Sequence, residues 1–253
     1  MGEPFVVARD VTVRFGGLTA VDAVSFEADR GEVVGIIGPN GAGKSTLFGA
    51  VAGTLTPASG RVHLGGIDVT RWSSHRRARA GLGRTFQRLE VFGSMTVREN
   101  LAFATEAAAL ASRPVRLLGR RRHQRDDVVD AVLDLLDLRD VGGERAGDLP
   151  TGRARVVELA RALCGEPAVL LLDEPSSGLD AVETAALGAA IRRAAAHGGM
   201  GVVLIEHDMS LVLSLCERLL VLDFGSAIAA GPTAEVAALD VVREAYLGAP
   251  HGA

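Results

Sequence analysis

Residues 33–46 read "VVGIIGPNGAGKST". The first part is a short unbroken apolar run, the mark of a strand buried on both faces of a sheet. The second is G-x-x-x-x-G-K-[ST], a glycine-rich turn between that strand and the helix-prone "KSTLFGAVAG" (44–53). In that context the turn is a phosphate loop. Its glycines let successive backbone N–H groups converge on phosphate oxygens, and the helix N-terminus adds positive potential. Gly38, Pro39, Asn40, Gly41, Ala42, Gly43, Lys44, Ser45 and Thr46 would form the cradle. Lys44 would reach the β and γ phosphates of ATP, and Ser45 would hold Mg²⁺.

Outward from this turn the chain alternates strands and helices. Residues 5–15 and "AVDAVSFEAD" (20–29) alternate as strands do, and "GRVHLGGIDVT" (60–70) reads as a hairpin around Gly65-Gly66. Trp72 and "SSHRRARAGLGR" (73–84) suggest a loop and short helix leading to a strand before Gln87. The middle differs. Residues 96–111 are Ala-rich and helix-prone, and "RPVRLLGRRRHQR" (113–125) is basic, either a solvated loop or a segment near anionic lipid headgroups. In "DDVVDAVLDLLDL" apolar residues at 128, 129, 132, 133 and 136 make a helical stripe, with Asp126 and Asp127 placed at the helix start. The mixed pattern then returns in "AVLLLDEP", "AVETAALGAAIRRAAAHGG", "GVVLIEHD" and the hairpin "RLLVLDFGSAIAAG". The fold class is α/β, a largely parallel, helix-covered sheet interrupted by a helical subdomain, with no internal repeat.

The 253 residues, 48% hydrophobic and 23% charged, suffice for one sizeable core. A net charge of −4 lacks the bulk basicity of a nucleic-acid binder, so no nucleic-acid partner is expected. Cys164 and Cys216 lie far apart without metal-ligand spacing and fit buried thiols in a reducing compartment. No apolar stretch reaches the ~18 residues of a membrane span. The N-terminus lacks the basic-then-apolar pattern of a secretory signal, and Val6 breaks the myristoylation pattern after Gly2.

Two acidic residues end the strand "VLLLDEP". Asp173 is placed for Mg²⁺, directly or through water, and Glu174 to orient or deprotonate an attacking water. Alone, such a pair is usually a solvated strand end; after a phosphate loop it points to hydrolysis. His207 follows another apolar strand, at the end where parallel sheets bind ligands. Gln87 offers an amide suited to both Mg²⁺ and water, and by itself is an ordinary polar residue.

"GPNGAGKST", "RTFQ", "LLLDEPSSGLD" and "IEHD" stand in the order and spacing of an ATP-binding cassette (ABC) ATPase, and the resemblance runs nearly end to end. Within that superfamily the chain looks most like the ATPase subunits of branched-chain amino-acid importers, on "FGGLTAVDAVSF", "RTFQRLEVFGSMTVRENL", "IEHDMSLVLSLCERLLVLDFG" and "EAYLG". Urea and short-amide importers share these segments. The resemblance implies a P-loop NTPase: a RecA-like core with a mixed, partly antiparallel β subdomain (about 1–87 and 165–253) and a helical subdomain with the signature turn (88–164). It implies that Phe15 stacks on adenine and Val21 touches the same ring, and that Lys44, Ser45 and Thr46 bind phosphate and Mg²⁺. It implies that Gln87 links nucleotide to the membrane subunit, Glu174 is the catalytic carboxylate, His207 contacts the γ-phosphate, and Asp180 lies in the loop crossing to a second cassette.

"LPTGR" (149–153) stands where this family carries Leu-Ser-Gly-Gly-Gln, the turn that binds the γ-phosphate held by the other cassette. Pro150 removes the serine hydroxyl and its own N–H. Thr151 offers a hydroxyl one position later, Gly152 keeps its N–H and permits close backbone approach, and Arg153 either pairs with phosphate or is solvated. A plain helix start is the alternative. The implied protein is a peripheral ATPase at the cytoplasmic face of the membrane, paired with a second, different ATPase subunit. It would bind transmembrane permease subunits through a groove near Phe92, Met95 and Val97, and serve a substrate-binding protein indirectly. A lipid or lipopolysaccharide exporter ATPase, a regulatory cassette and a soluble cassette acting on ribosomes are the rivals.

Overall fold

The computed structural model describes residues 4–85, 88–111 and 122–247. Gln87 and most of the basic run 113–125 lie outside the described residues.

Strands β1 (Val6–Phe15), β2 (Leu18–Ala28), β4 (Ser59–Leu64) and β5 (Ile67–Asp68) form an antiparallel sheet in the order β2-β1-β4-β5. A second sheet has the order β10-β9-β3-β8-β7-β6. It comprises β3 (Val33–Ile37), β6 (Leu82–Arg84), β7 (Val169–Asp173), β8 (Gly201–Ile205), β9 (Arg218–Asp223) and β10 (Ser226–Pro232). All its neighbours pair in parallel except β10, which closes a hairpin with β9.

The apolar runs follow from burial on both faces. Val33, Ile37, Leu170, Leu172, Val202 and Leu204 enter one core, and Val34, Ile36, Val169, Leu171, Val203 and Ile205 enter another. The second core lies against the antiparallel sheet and helix α1 (Lys44–Ala52). The first is filled by α5 (Thr151–Leu163), α6 (Ala181–Gly198) and α7 (Met209–Leu215), and continues into α3 (Val97–Ala111) and α4 (Arg122–Leu135). The described residues end in α8 (Thr233–Val236) and α9 (Asp240–Leu247). Helix α4 already includes Arg122, so Asp126 and Asp127 do not open it as the pattern suggested but lie at least one turn inside. The stripe itself is correct, since Val129, Val132, Leu133 and Leu136 are buried.

The phosphate-loop helix is held at its far end by α2 (Ser74–Arg79). Arg77 is fully buried and donates to the carbonyls of Ala50 and Val51 (both 2.6 Å), Thr70 (2.9 Å) and Trp72 (3.2 Å). Those are orphan acceptors of the α1 C-terminus and of the loop before α2, and a cation there complements the helix dipole. Gly53 closes α1 at φ 78°, and a Cβ on it would lie 2.7 Å from Arg77 Nε. Burial pulls the Arg77 guanidinium down to about 10, with Asp68 opposing.

Candidate nucleotide site

The order β3-β8-β7 sets the carboxyl ends of three parallel strands side by side. The phosphate loop leaves β3, His207 lies just past β8, and Asp173 and Glu174 end β7. Such strand ends are where open α/β sheets bind ligands.

In the loop, Gly41 (φ 83°) and Gly43 (φ 98°) take the left-handed backbone that turns the chain into α1. A Cβ on Gly38 would meet the Leu222 carbonyl oxygen at 2.1 Å, so only glycine fits there. Gly225 donates to the Ala42 carbonyl at 3.1 Å and accepts from Asp22, which pins the β9–β10 turn against the loop. The resulting cleft, about 320 Å³, is bounded by Leu18, Thr19, Ala20, the loop from Asn40 to Thr46, Glu174 and Phe224. Lys44 is buried, and its ammonium donates to the carbonyls of Gly38 (2.7 Å) and Pro39 (2.9 Å). Burial lowers its pKa, while Glu174 and Asp173 pull it up. Lys44, the two carboxylates and the loop therefore share one electrostatic site.

Glu174 has a left-handed backbone (φ 47°), uncommon for a side chain of its size and typical of functional sites. Its N–H donates to the Ile205 carbonyl at 2.9 Å, tying the end of β7 to that of β8. Asp173 is buried and meets Arg84 Nη2 at 3.3 Å. Burial pushes the Asp173 carboxyl up, and Arg84 is the main opposing influence. The Ser45 hydroxyl and the Asp173 carboxylate are hard oxygen donors of the kind Mg²⁺ takes. With Arg84 on Oδ2, Asp173 fits an ion reached through water better than direct ligation. Among the described residues no group of three His, Cys, Asp or Glu side chains could hold a metal ion alone. His207 is exposed, with Nδ1 3.8 Å from the Glu206 carboxylate.

Phe15, at the end of β1, is half exposed and pairs across the hairpin with exposed Leu18. Val21 does not match its expected role. It is wholly buried in the second core, close under Gly43, and the cleft wall there is Leu18, Thr19 and Ala20.

The signature turn departs further from expectation. Pro150 caps α5 without a side-chain hydrogen bond, and Thr151 is its exposed first residue. Arg153 is partly exposed and paired within the chain: its guanidinium donates to the Asp137 carbonyl (2.8 Å) and pairs with Asp140. The Gly152 N–H donates to Glu183 Oε1 at 3.0 Å. Glu183 Oε2 also accepts from the Asp180 N–H (3.2 Å), while Asp180 Oδ1 accepts from Val182 and Glu183 (both 2.8 Å), a reciprocal capping box on α6. The amide expected to meet phosphate is thus already bonded to an anionic oxygen.

Near the expected membrane-subunit groove, Val97 is buried and opens α3, so it offers no contact surface. Phe92 and Phe103 are exposed and stack edge to face, with centroids 5.0 Å apart. Arg161 lies over Phe92 at 4.5 Å. A cleft of about 190 Å³ beside them is lined by Arg84, Thr85, Glu90, Ala104, Glu158 and Arg161. The sequence reading missed Arg84, Glu183 and Glu206. The Asp-x-x-Glu spacing at 180–183 is a legible capping signal, whereas Arg84 carries none.

The ABC transporter family model matches residues 21–177. The chain is 36% identical to the high-affinity branched-chain amino acid transport ATP-binding protein BraF of Pseudomonas aeruginosa, over 98% of this chain and 99% of that protein. It is 37% identical to the lipopolysaccharide export system ATP-binding protein LptB of Acidithiobacillus ferridurans, over 89% of each. Its fold is similar to an ATP-binding cassette of an ABC transporter solved in its ADP conformation, with TM-score 0.85, 28% identity and coverage of 98% of this chain and 100% of that one. With a phosphate loop, an acidic strand end and a histidine on adjacent strands, this chain belongs to the ABC transporter family and is one of its ATP-binding cassettes.

Proposed function

We propose that this chain is the ATP-hydrolysing subunit of a membrane importer for branched-chain amino acids. The observation that carries the reading is that Lys44 and Glu174 line one cleft beyond the ends of β3 and β7, with His207 just past the end of β8, the strand between them. BraF supports the substrate class, because the likeness extends over nearly the whole of both chains. LptB is as similar in identity over less of the chain, which makes a lipopolysaccharide exporter the second reading.

In this reading Phe15 and Leu18 flank the adenine, the loop N–H groups and Lys44 bind the phosphates, and Glu174 takes a proton from the attacking water. The water oxygen bonds to the γ-phosphorus as the bond to the ADP oxygen breaks, and His207 donates a hydrogen bond to the departing phosphate. Mg²⁺, held by Ser45 with Gln87 and through water by Asp173, would spread the charge developing on the phosphate oxygens. A second cassette, a different polypeptide, supplies its own signature turn, so this chain alone is a poor ATPase. Segment 88–164 acts as the helical unit against a core of 1–87 and 165–253, and Phe92 and Phe103 face the permease. Among the described residues no helix is long and apolar enough to cross a membrane, which supports a peripheral subunit. The place of action would be the cytoplasmic face.

Glu174→Gln tests the mechanism. The amide cannot accept the proton, so turnover should fall about 10²- to 10⁴-fold while ATP binding persists. ATP should then hold the cassettes in a closed pair visible by size-exclusion chromatography. Hydrolysis near the wild-type rate would remove Glu174 as the base.

A further inference from the structure

Glu206 follows the last residue of β8 and is wholly buried, with 0% of its surface exposed. A carboxylate stripped of water persists only where hydrogen bonds replace the water. Here Oε1 accepts from the Ser176 N–H at 2.8 Å, and Oε2 accepts from the N–H groups of His207 (3.0 Å) and Asp208 (3.3 Å). The two oxygens therefore hold two different loops. One carries Glu174, two residues before Ser176; the other carries His207 itself.

We propose that Glu206 is a positioning residue for ATP hydrolysis, holding the Glu174 loop and the His207 loop in a common register. The inference rests on the roles given to those two residues above. A buried side chain kept for packing alone would need no charge at this point. A hydroxyl could serve one loop, but two acceptor oxygens on one rigid group are needed to serve both. The neighbouring bond from the Glu174 N–H to the Ile205 carbonyl fixes the strand ends, and Glu206 extends that stitch into the loops. It does not touch the reacting atoms and acts through the backbone N–H groups of Ser176, His207 and Asp208 and through the His207 imidazole, whose Nδ1 lies 3.8 Å from Oε2.

Glu206→Gln keeps the size and leaves one acceptor. Whichever way the amide turns, its NH₂ faces either the Ser176 N–H or the N–H groups of His207 and Asp208. Single-turnover ATP hydrolysis is compared with wild type in the assembled transporter, held in excess over ATP, and the full-length chain is compared in displacement of a fluorescent nucleotide by ATP and in amide hydrogen exchange. Hydrolysis should slow about 10- to 100-fold, the loss expected from a small misplacement of catalytic groups. ATP affinity should be unchanged, and the amides of Ser176 and His207 should exchange faster. Wild-type hydrolysis, or a loss no larger than the loss of ATP affinity, overturns the proposal. Glu174→Gln is run alongside. If it hydrolyses normally, the reading of the site fails; if it is inactive while Glu206→Gln is active, only the role of Glu206 fails. Should Glu206→Gln not fold, Glu206→Asp is judged by the same measures, since it keeps the charge and shortens the reach.

Discussion

Replacing Gly152 by alanine tests the contact that decides how the signature turn is built. A Cβ there would lie 2.8 Å from Glu183 Cγ and 2.9 Å from Glu183 Cβ and Oε1. The Glu183 side chain must swing away, losing the Gly152 N–H (3.0 Å, partly buried) and the Asp180 N–H (3.2 Å, exposed), and α5 must draw back slightly from α6 because Glu183 Cβ cannot rotate away. A partly buried hydrogen bond to a charged group contributes about 1.5 kcal/mol and an exposed one about 0.5, so the loss is about 2 kcal/mol. Alanine is better than glycine inside a helix by about 0.5–1 kcal/mol, which offsets part of it. The net cost is about 1–1.5 kcal/mol, or about 3–5 °C of melting temperature in a chain of this size.

In a Glu183→Gly background, which removes Glu183 Cβ as well as the atoms beyond it, the overlap is gone and only the helix gain remains. Gly152→Ala should there raise the melting temperature, so the sign reverses. The four chains of this double-mutant cycle, melted by circular dichroism without nucleotide, should show a coupling of about 2 kcal/mol. If Gly152→Ala stabilises the wild-type chain as much as the Glu183→Gly chain, the Glu183–Gly152 contact is absent and the turn is an ordinary helix start.

Lys44→Ala should weaken ATP binding by more than about tenfold, since a charge-assisted contact to phosphate is lost; an unchanged nucleotide titration would remove the loop from the site. Alkaline pH should destabilise the fold through its thiols. The denatured chain ionises them near 9.0, whereas burial holds Cys164 to about 11 and Cys216 to about 12. Their contribution is fully present below pH 9.0 and is lost as pH rises, by up to about 1.4 kcal/mol per pH unit for each thiol. Melting temperatures of the Cys164→Ala/Cys216→Ala chain should decline less steeply than wild type between about pH 8.5 and about pH 10.5; parallel curves would place the alkaline loss elsewhere.

Much of the fold was legible because its signals are local. The "VVGII" and "VLLLD" runs read as buried parallel strands because both faces are covered, and the phosphate loop declares itself through glycines whose φ values only that turn requires. Contacts set by the order of strands were not legible. Arg84 meets Asp173 across 89 residues because β6 lies beside β7, and Gly152 meets Glu183 across 31 because α5 packs on α6. Val21 and Val97 show the limit of position-by-position transfer. Each stands at the expected place in the chain, yet points into a core. The capping box at Asp180 and Glu183 was readable from spacing alone, but its second use, reaching Gly152, depended on the packing of another helix.

Glu206 and Glu183 bracket the same short segment. Glu206 holds its beginning at Ser176, Leu179 donates back to the Ser176 carbonyl at 3.0 Å, and Glu183 holds its end at Asp180 while reaching across to Gly152. A run of hydrogen bonds therefore extends from the His207 loop, past Glu174, to the start of α5. Apolar contacts such as those joining α5 to α6 can slide with little cost, whereas a carboxylate bonded to backbone N–H groups has few alternative positions. The elements assigned to this chain's own ATP and the turn assigned to its partner's ATP are therefore held by one stretch of backbone, fixed by two acidic side chains. A phosphate arriving at Gly152 would replace one anionic acceptor by another and release Glu183 from the turn. On the proposed reading, "LPTGR" would meet the partner's phosphate through the Gly152 N–H and the start of α5, without a serine hydroxyl.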